Sequence, residues 1–245
     1  MEIALIVFGL ITSVLIGGVL VSVLQRSKNE QLIKLMLAFS GGFLLSIAFI
    51  HFIPELYEEA DFNVGVYILI GFLIQLVLEL FSGGIEHGHI HIHEGAKLPI
   101  ALIVALSLHA FLEGIPLGTQ LGGMETATSH HHHGNDHTLF LGILLHRLPV
   151  AIALMTLLFA AKVSKSKAWL VLGIFAITTP IGLFIGLNSM DLMKGFDFNI
   201  ILAIVVGMFL HISTTIIFET SENHKFNFLK LITIFAGCSI AFLMH

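Results

Sequence analysis

Charge is scarce in this chain. Only 11% of its 245 residues are Asp, Glu, Lys or Arg, while 56% are hydrophobic. A soluble domain carries about twice that charged fraction, so much of the surface is expected to meet lipid. Cysteine is almost missing. Cys238 stands alone, which excludes an internal disulfide and a cysteine-based metal cluster. Basic residues are also few, 11 against 16 acidic ones for a net charge of −5, and no basic stripe forms. Nucleic acid is therefore not an expected partner. The apolar stretches do not alternate with polar residues, which argues against a membrane β-barrel. The N-terminus has no basic leader region, and its apolar run is too long for a signal peptide. It reads as a first membrane-spanning helix.

What the chain does have is long apolar runs. A spanning helix needs about 20 mostly apolar residues. Eight stretches qualify: 3–24, 32–53, 64–82, 98–118, 139–161, 168–187, 199–218 and 227–244. The expected fold class is thus all-α, a polytopic membrane protein with eight transmembrane helices. Lys and Arg collect on the cytoplasmic side of such proteins. The first, third, fifth and seventh loops hold Arg26, Lys28 and Lys34; Lys97; Lys162, Lys165 and Lys167; and Lys225 and Lys230. The even loops hold only Lys194. Eight helices with both termini outside account for this asymmetry, and one helix more or fewer would scramble it. The short loops leave no room for a second domain, so residues 1–245 form one transmembrane domain. Compactness and short loops point to a bacterial cytoplasmic membrane as the cell membrane concerned.

Histidine is abundant, with 15 copies. Two loops concentrate it. The loop 83–97, expected in the cytoplasm, carries His87, His89, His91 and His93. The loop 119–138, expected outside, carries His130, His131, His132 and His133. Both are compositional metal-capturing tracts, read against the plainer alternative of solvated loops.

The polar residues inside the apolar runs are costly in hydrocarbon and so need partners or a function. His109 and Glu113 lie four residues apart on the fourth helix, a spacing that puts both on one face. Counted from the outer end near Gly118, they lie roughly 13 and 8 Å deep at the helical rise per residue. His146, on the fifth helix, lies roughly 10 Å deep by the same rise. Two imidazoles and a carboxylate at one level suit Zn²⁺ or another borderline divalent ion, with water completing the shell. Pro116 and Pro149 cannot donate to the carbonyls of Leu112 and Leu145. Irregular, broken helices of this kind often build transporter sites. His51 and Glu55, again four apart, close the second helix at the outer interface. Gln75 and Glu79 lie near the inner end of the third, where an exit ligand and an ordinary interfacial charge are both open readings. His211 on the seventh helix is either a further station on an ion path or a packed core histidine.

At these residues the chain resembles the ZIP family of divalent-metal transporters. The matching features are His109-x-x-x-Glu113-Gly114 with Gly118, His146 with Pro149, and His51-x-x-Pro54-Glu55. The resemblance covers the whole chain and implies transport of Zn²⁺ towards the cytoplasm, with Fe²⁺, Mn²⁺ and Cd²⁺ as further candidate substrates. It also implies a 3+2+3 arrangement with an inverted repeat, and frequent homodimers in the lipid bilayer. Ala110, Arg147, Val150 and Ile216 depart from the family pattern, which often offers ligands there for a second neighbouring ion. The expectation is a single-metal site in which the Arg147 guanidinium, always protonated, replaces that ion and pairs with Glu113. On this reading His51, Glu55, Arg147 and His211 line the transport path, and the protein is not an enzyme. Two alternatives remain open at this point: a membrane-embedded zinc hydrolase using a metal-bound water, and a metal sensor that does not transport.

Overall fold

The computed structural model describes residues 2–23, 30–82, 100–123, 138–188, 197, 199–218 and 228–244. Both histidine tracts lie outside the described residues. Within them all regular structure is helical: α1 (Glu2–Val23), α2 (Glu30–Ile47), a π-helical turn (Ala48–Phe52), α3 (Ile53–Glu59), α4 (Val64–Ser82), α5 (Ile100–Gly123), α6 (Thr138–Ala160), α7 (Lys165–Leu187), α8 (Asn199–Phe218) and α9 (Phe228–Leu243). α2, the π turn and α3 run on as a single span, Gln31–Glu58. Seven spans are long and apolar enough to cross a membrane, and α9 is a shorter apolar helix. α9 covers roughly 24 Å at the helical rise, a little less than a hydrocarbon core.

Helix limits differ from the sequence reading in physically sensible places. The second helix does not stop at Ile53. Pro54 occupies the start of α3, where its missing N–H costs nothing, and the wider π turn just before it accommodates the ring. α5 and α6 are not broken at Pro116 and Pro149 but remain helical through them. Each proline therefore releases a carbonyl without interrupting its helix. Lys230 lies in no loop. It is buried in α9, and its ammonium donates to the carbonyls of Ile216 and Ile217, capping the end of α8.

Hydrophobic force between helices is weak in lipid, so tight association needs close backbone approach at small residues. The main interfaces use glycine for this purpose. On α5, a Cβ at Gly114 would fall 2.3 Å from the Thr179 carbonyl oxygen, and one at Gly118 would fall 2.0 Å from that of Leu183. α7 reciprocates at Gly182 and Gly186, against the carbonyls of Phe111 and Ile115. Gly42 and Gly237 join α2 to α9, and Gly71 and Gly207 join α4 to α8, by the same device. In each pair residue numbers rise together along the interface, so the partners are parallel. Every such pair joins spans of the same parity, as strictly alternating spans require. α6 is the most enclosed span and α4 the least.

Candidate metal-binding site

The helices α5 and α6 supply all three sequence-derived ligands, yet they pack little against each other. α5 packs chiefly on α7, whereas α6 packs chiefly on α1 and α2 and meets α7 over a smaller interface. α5 meets α7 along the glycine seam, and Thr179 of α7 donates its hydroxyl to the Ala110 carbonyl at 2.6 Å, beside His109. α6 meets α7 through Arg147, whose Nη2 donates to the Phe175 carbonyl at 2.9 Å. The gap left between α5 and α6 holds the ligand atoms. Gly114 and Gly118 of the family-like motif thus work by seating α5 on α7.

His109, Glu113 and His146 each present a ligand atom, and these atoms lie within 4.8 Å of one another. His109 Nε2 is 2.8 Å from Glu113 Oε1. The two imidazole rings are 6.1 Å apart, nearly perpendicular. All three residues are almost inaccessible, at 3%, 1% and 2% exposure. A dry cluster of two imidazoles and a carboxylate offers the nitrogen and oxygen donors suited to a divalent ion such as zinc. Three protein ligands leave a fourth position open, which lets an ion enter and leave.

Arg147 departs from expectation. It is 1% exposed, and its guanidinium carbon sits 4.8 Å from the centre of the Phe175 ring. No ion pair joins it to Glu113 among the described residues, although it lies within the carboxylate's electrostatic reach. The expected pairing is replaced by a tie to α7, made by a backbone carbonyl and an aromatic face. Thr178 donates to the same Phe175 carbonyl at 2.7 Å. No residue pattern on α6 announces a partner of this kind.

The remaining candidates stand apart from the three-ligand cluster. His51 sits in the π turn and Glu55 in α3, both partly buried, towards the C-terminal end of their span. A π turn often marks a functional position, and Pro54 downstream is the sequence cue for it. His211 is buried on α8. Its Nε2–H donates to Glu79 Oε2 on α4, and its ring meets Phe72 edge-on, with centroids 4.7 Å apart. Sequence reading left Glu79 undecided; the structure gives it a partner 132 residues away. Gln75, one turn before Glu79, is fully buried on the same helix.

A model of the ZIP zinc transporter family matches residues 82–245, which include both ligand helices and α7. The chain belongs to this family. ZIP proteins are transporters and not enzymes, which sets aside the hydrolase alternative. Among curated relatives, zinc transporter ZIP9 of Micropogonias undulatus is 24% identical over 172 residues, covering 64% of this chain and 51% of that protein. Protein zntD of Dictyostelium discoideum is 25% identical over 161 residues, covering 60% of this chain and 22% of its own length. The chain thus spans about half of the first relative and about a fifth of the second. α1, α2, the π turn and α3 precede the stretch matched by the ZIP model, so His51 and Glu55 stand outside it.

Proposed function

We infer that this ZIP-family chain carries divalent metal ions, zinc first among them, across a membrane towards the cytoplasm. One observation carries the reading: three buried ligand atoms, from two helices that hardly touch, within 4.8 Å of one another. The ion would shed part of its water at this dry cluster. The fourth position lets it leave again, which a closed structural site would forbid. His51 and Glu55 would pass ions in from the outer end. Glu79 and His211, near the inner ends of α4 and α8, would receive them. The two histidine tracts would raise the local ion supply on either face. The excess of Lys and Arg in the odd loops supports this orientation.

The packing also supports alternating access. α1, α5, α6 and α7 adhere mainly to one another, as do α2, α4, α8 and α9. A shift of one set against the other would re-expose the cluster, and both ligand helices belong to the same set. Exchanging spans one to three with six to eight, and four with five, maps the α5/α7 interface onto α1/α6. The same exchange maps α2/α9 onto α4/α8. This correspondence supports the inverted 3+2+3 repeat.

The test is zinc flux into proteoliposomes containing a metal-sensitive dye. Wild-type protein should load the vesicles, whereas His109→Ala and Glu113→Gln should match empty vesicles. Equal flux in wild type and both variants would refute the route through this cluster.

A further inference from the structure

Two helices that hardly touch must still present His146 to His109 and Glu113. The pair on α5 needs no outside help, because a single helical turn fixes it. The spacing across to His146 gets little support from α5 and α6 themselves, and one turn of α7 supplies it. Phe175 and Thr179 lie four residues apart on that helix, and so on one face. The Thr179 hydroxyl donates to the carbonyl of Ala110, the residue after His109. Arg147, the residue after His146, donates Nη2 to the Phe175 carbonyl and lays its guanidinium over the Phe175 ring. Each tie thus ends one residue from a ligand histidine. Thr179 and Arg147 are both buried, so water does not compete for these bonds. On the α5 side there is also no slack. A Cβ at Gly114 would fall 2.3 Å from the Thr179 carbonyl oxygen, and one at Gly182 would fall 2.1 Å from that of Phe111. Backbone rests on backbone, so a shift of this α7 turn moves α5 with it.

We propose that the Phe175–Thr179 turn of α7 is a yoke that holds α5 and α6 in register, and that Thr179 and Arg147 are the positioning residues through which it sets the distance from His146 to His109 and Glu113. Neither residue is a ligand; each acts through the histidine beside its tie. The inference rests on the reading of His109, Glu113 and His146 as the metal ligands.

The experiment measures zinc affinity by competition with a fluorescent chelator, on the 245-residue chain with the histidines of both tracts replaced by serine. Thr179→Val keeps the branched shape and removes the hydroxyl. Zinc affinity should fall about tenfold, a typical cost of losing a group that orients a ligand. Thr179→Ser keeps the hydroxyl and should bind like the parent. The decisive comparison is the background in which the valine's cost disappears. Without His146 only ligands that α5 spaces by itself remain, so in His146→Ala the valine should cost nothing further. In His109→Ala the site still spans α5 and α6, so the valine should again cost about tenfold. A general weakening of the fold would add the same loss in both backgrounds, and a role confined to α5 would give the reverse pattern. Either result, or an unchanged affinity in Thr179→Val, overturns the yoke while leaving the metal site intact. Arg147→Met cuts the other tie. Its missing charge acts alike in every background, so the same difference between His109→Ala and His146→Ala should appear, which keeps the test available if the valine variant does not fold. A parent chain that binds no zinc, or binds it equally well without His146, overturns the three-ligand reading and the yoke together.

Discussion

Two histidine–carboxylate pairs divide this molecule, one wholly buried and one half-buried at its carboxylate. His109 and Glu113 share one helix and gain a third ligand, His146, from a neighbour that barely touches their helix. His211 and Glu79 come from two helices pressed together at Gly71 and Gly207, with no third ligand grouped with them among the described residues. The first pair borders a gap and the second closes an interface. The difference teaches that a like pair of residue types serves two ends: the loose setting suits holding an ion, and the tight one suits a brief contact or a latch between helices.

The sharpest break of that comparison is at the cluster itself. Glu113→Gln keeps the volume and removes the charge. It should weaken zinc binding by on the order of 100-fold or more, exceeding what loss of an outer-shell partner costs, as measured by chelator competition. Glu79→Gln should leave that affinity unchanged while slowing vesicle loading, so flux and binding separate at the Glu79–His211 pair and move together at the His109–Glu113 pair. Next comes the seam that seats α5. Gly118→Leu would drive a side chain into the Leu183 carbonyl, so size-exclusion chromatography should show little monodisperse protein. Gly173, whose Cβ would meet nothing within 4 Å, should accept alanine without loss.

Acid offers a finer probe. Metal-binding imidazoles must be neutral, so protons compete with the ion. Uptake should fall as the medium is acidified, and the zinc affinity of the cluster should fall with it. Lys230→Met should have the smallest effect. It strips a donor from the carbonyls of Ile216 and Ile217, costing about 1–2 kcal/mol, read as a drop of a few degrees in Tm with zinc affinity unchanged.

How much of this was legible beforehand follows from what sequence spacing encodes. His109 and Glu113 were visible because one helical turn puts them on one face. His146 required only a depth count along an antiparallel helix. The number of spans followed from apolar length and from where Lys and Arg fall. The Arg147 contact was not visible, because its partner is a backbone carbonyl on a third helix, and carbonyls leave no signature in side-chain identity. The Glu79–His211 pair was not visible because two parallel helices meet there at long range, and no spacing rule links them. Lys230 was placed in a loop because a lone lysine near a helix end normally reaches water; here it finds the carbonyl end of α8 instead. Proline was over-read as a break: a helix supported by neighbours keeps its course through Pro116 and Pro149 and merely releases a carbonyl.

The central claim is that one divalent ion is held by His109, Glu113 and His146. Zinc X-ray absorption tests it most directly, on the 245-residue chain with its tract histidines at 87, 89, 91, 93 and 130–133 replaced by serine. The account predicts one zinc per chain with two imidazole ligands in its shell, falling to one imidazole in His146→Ala. Retained zinc whose spectrum is unchanged in His146→Ala would contradict it.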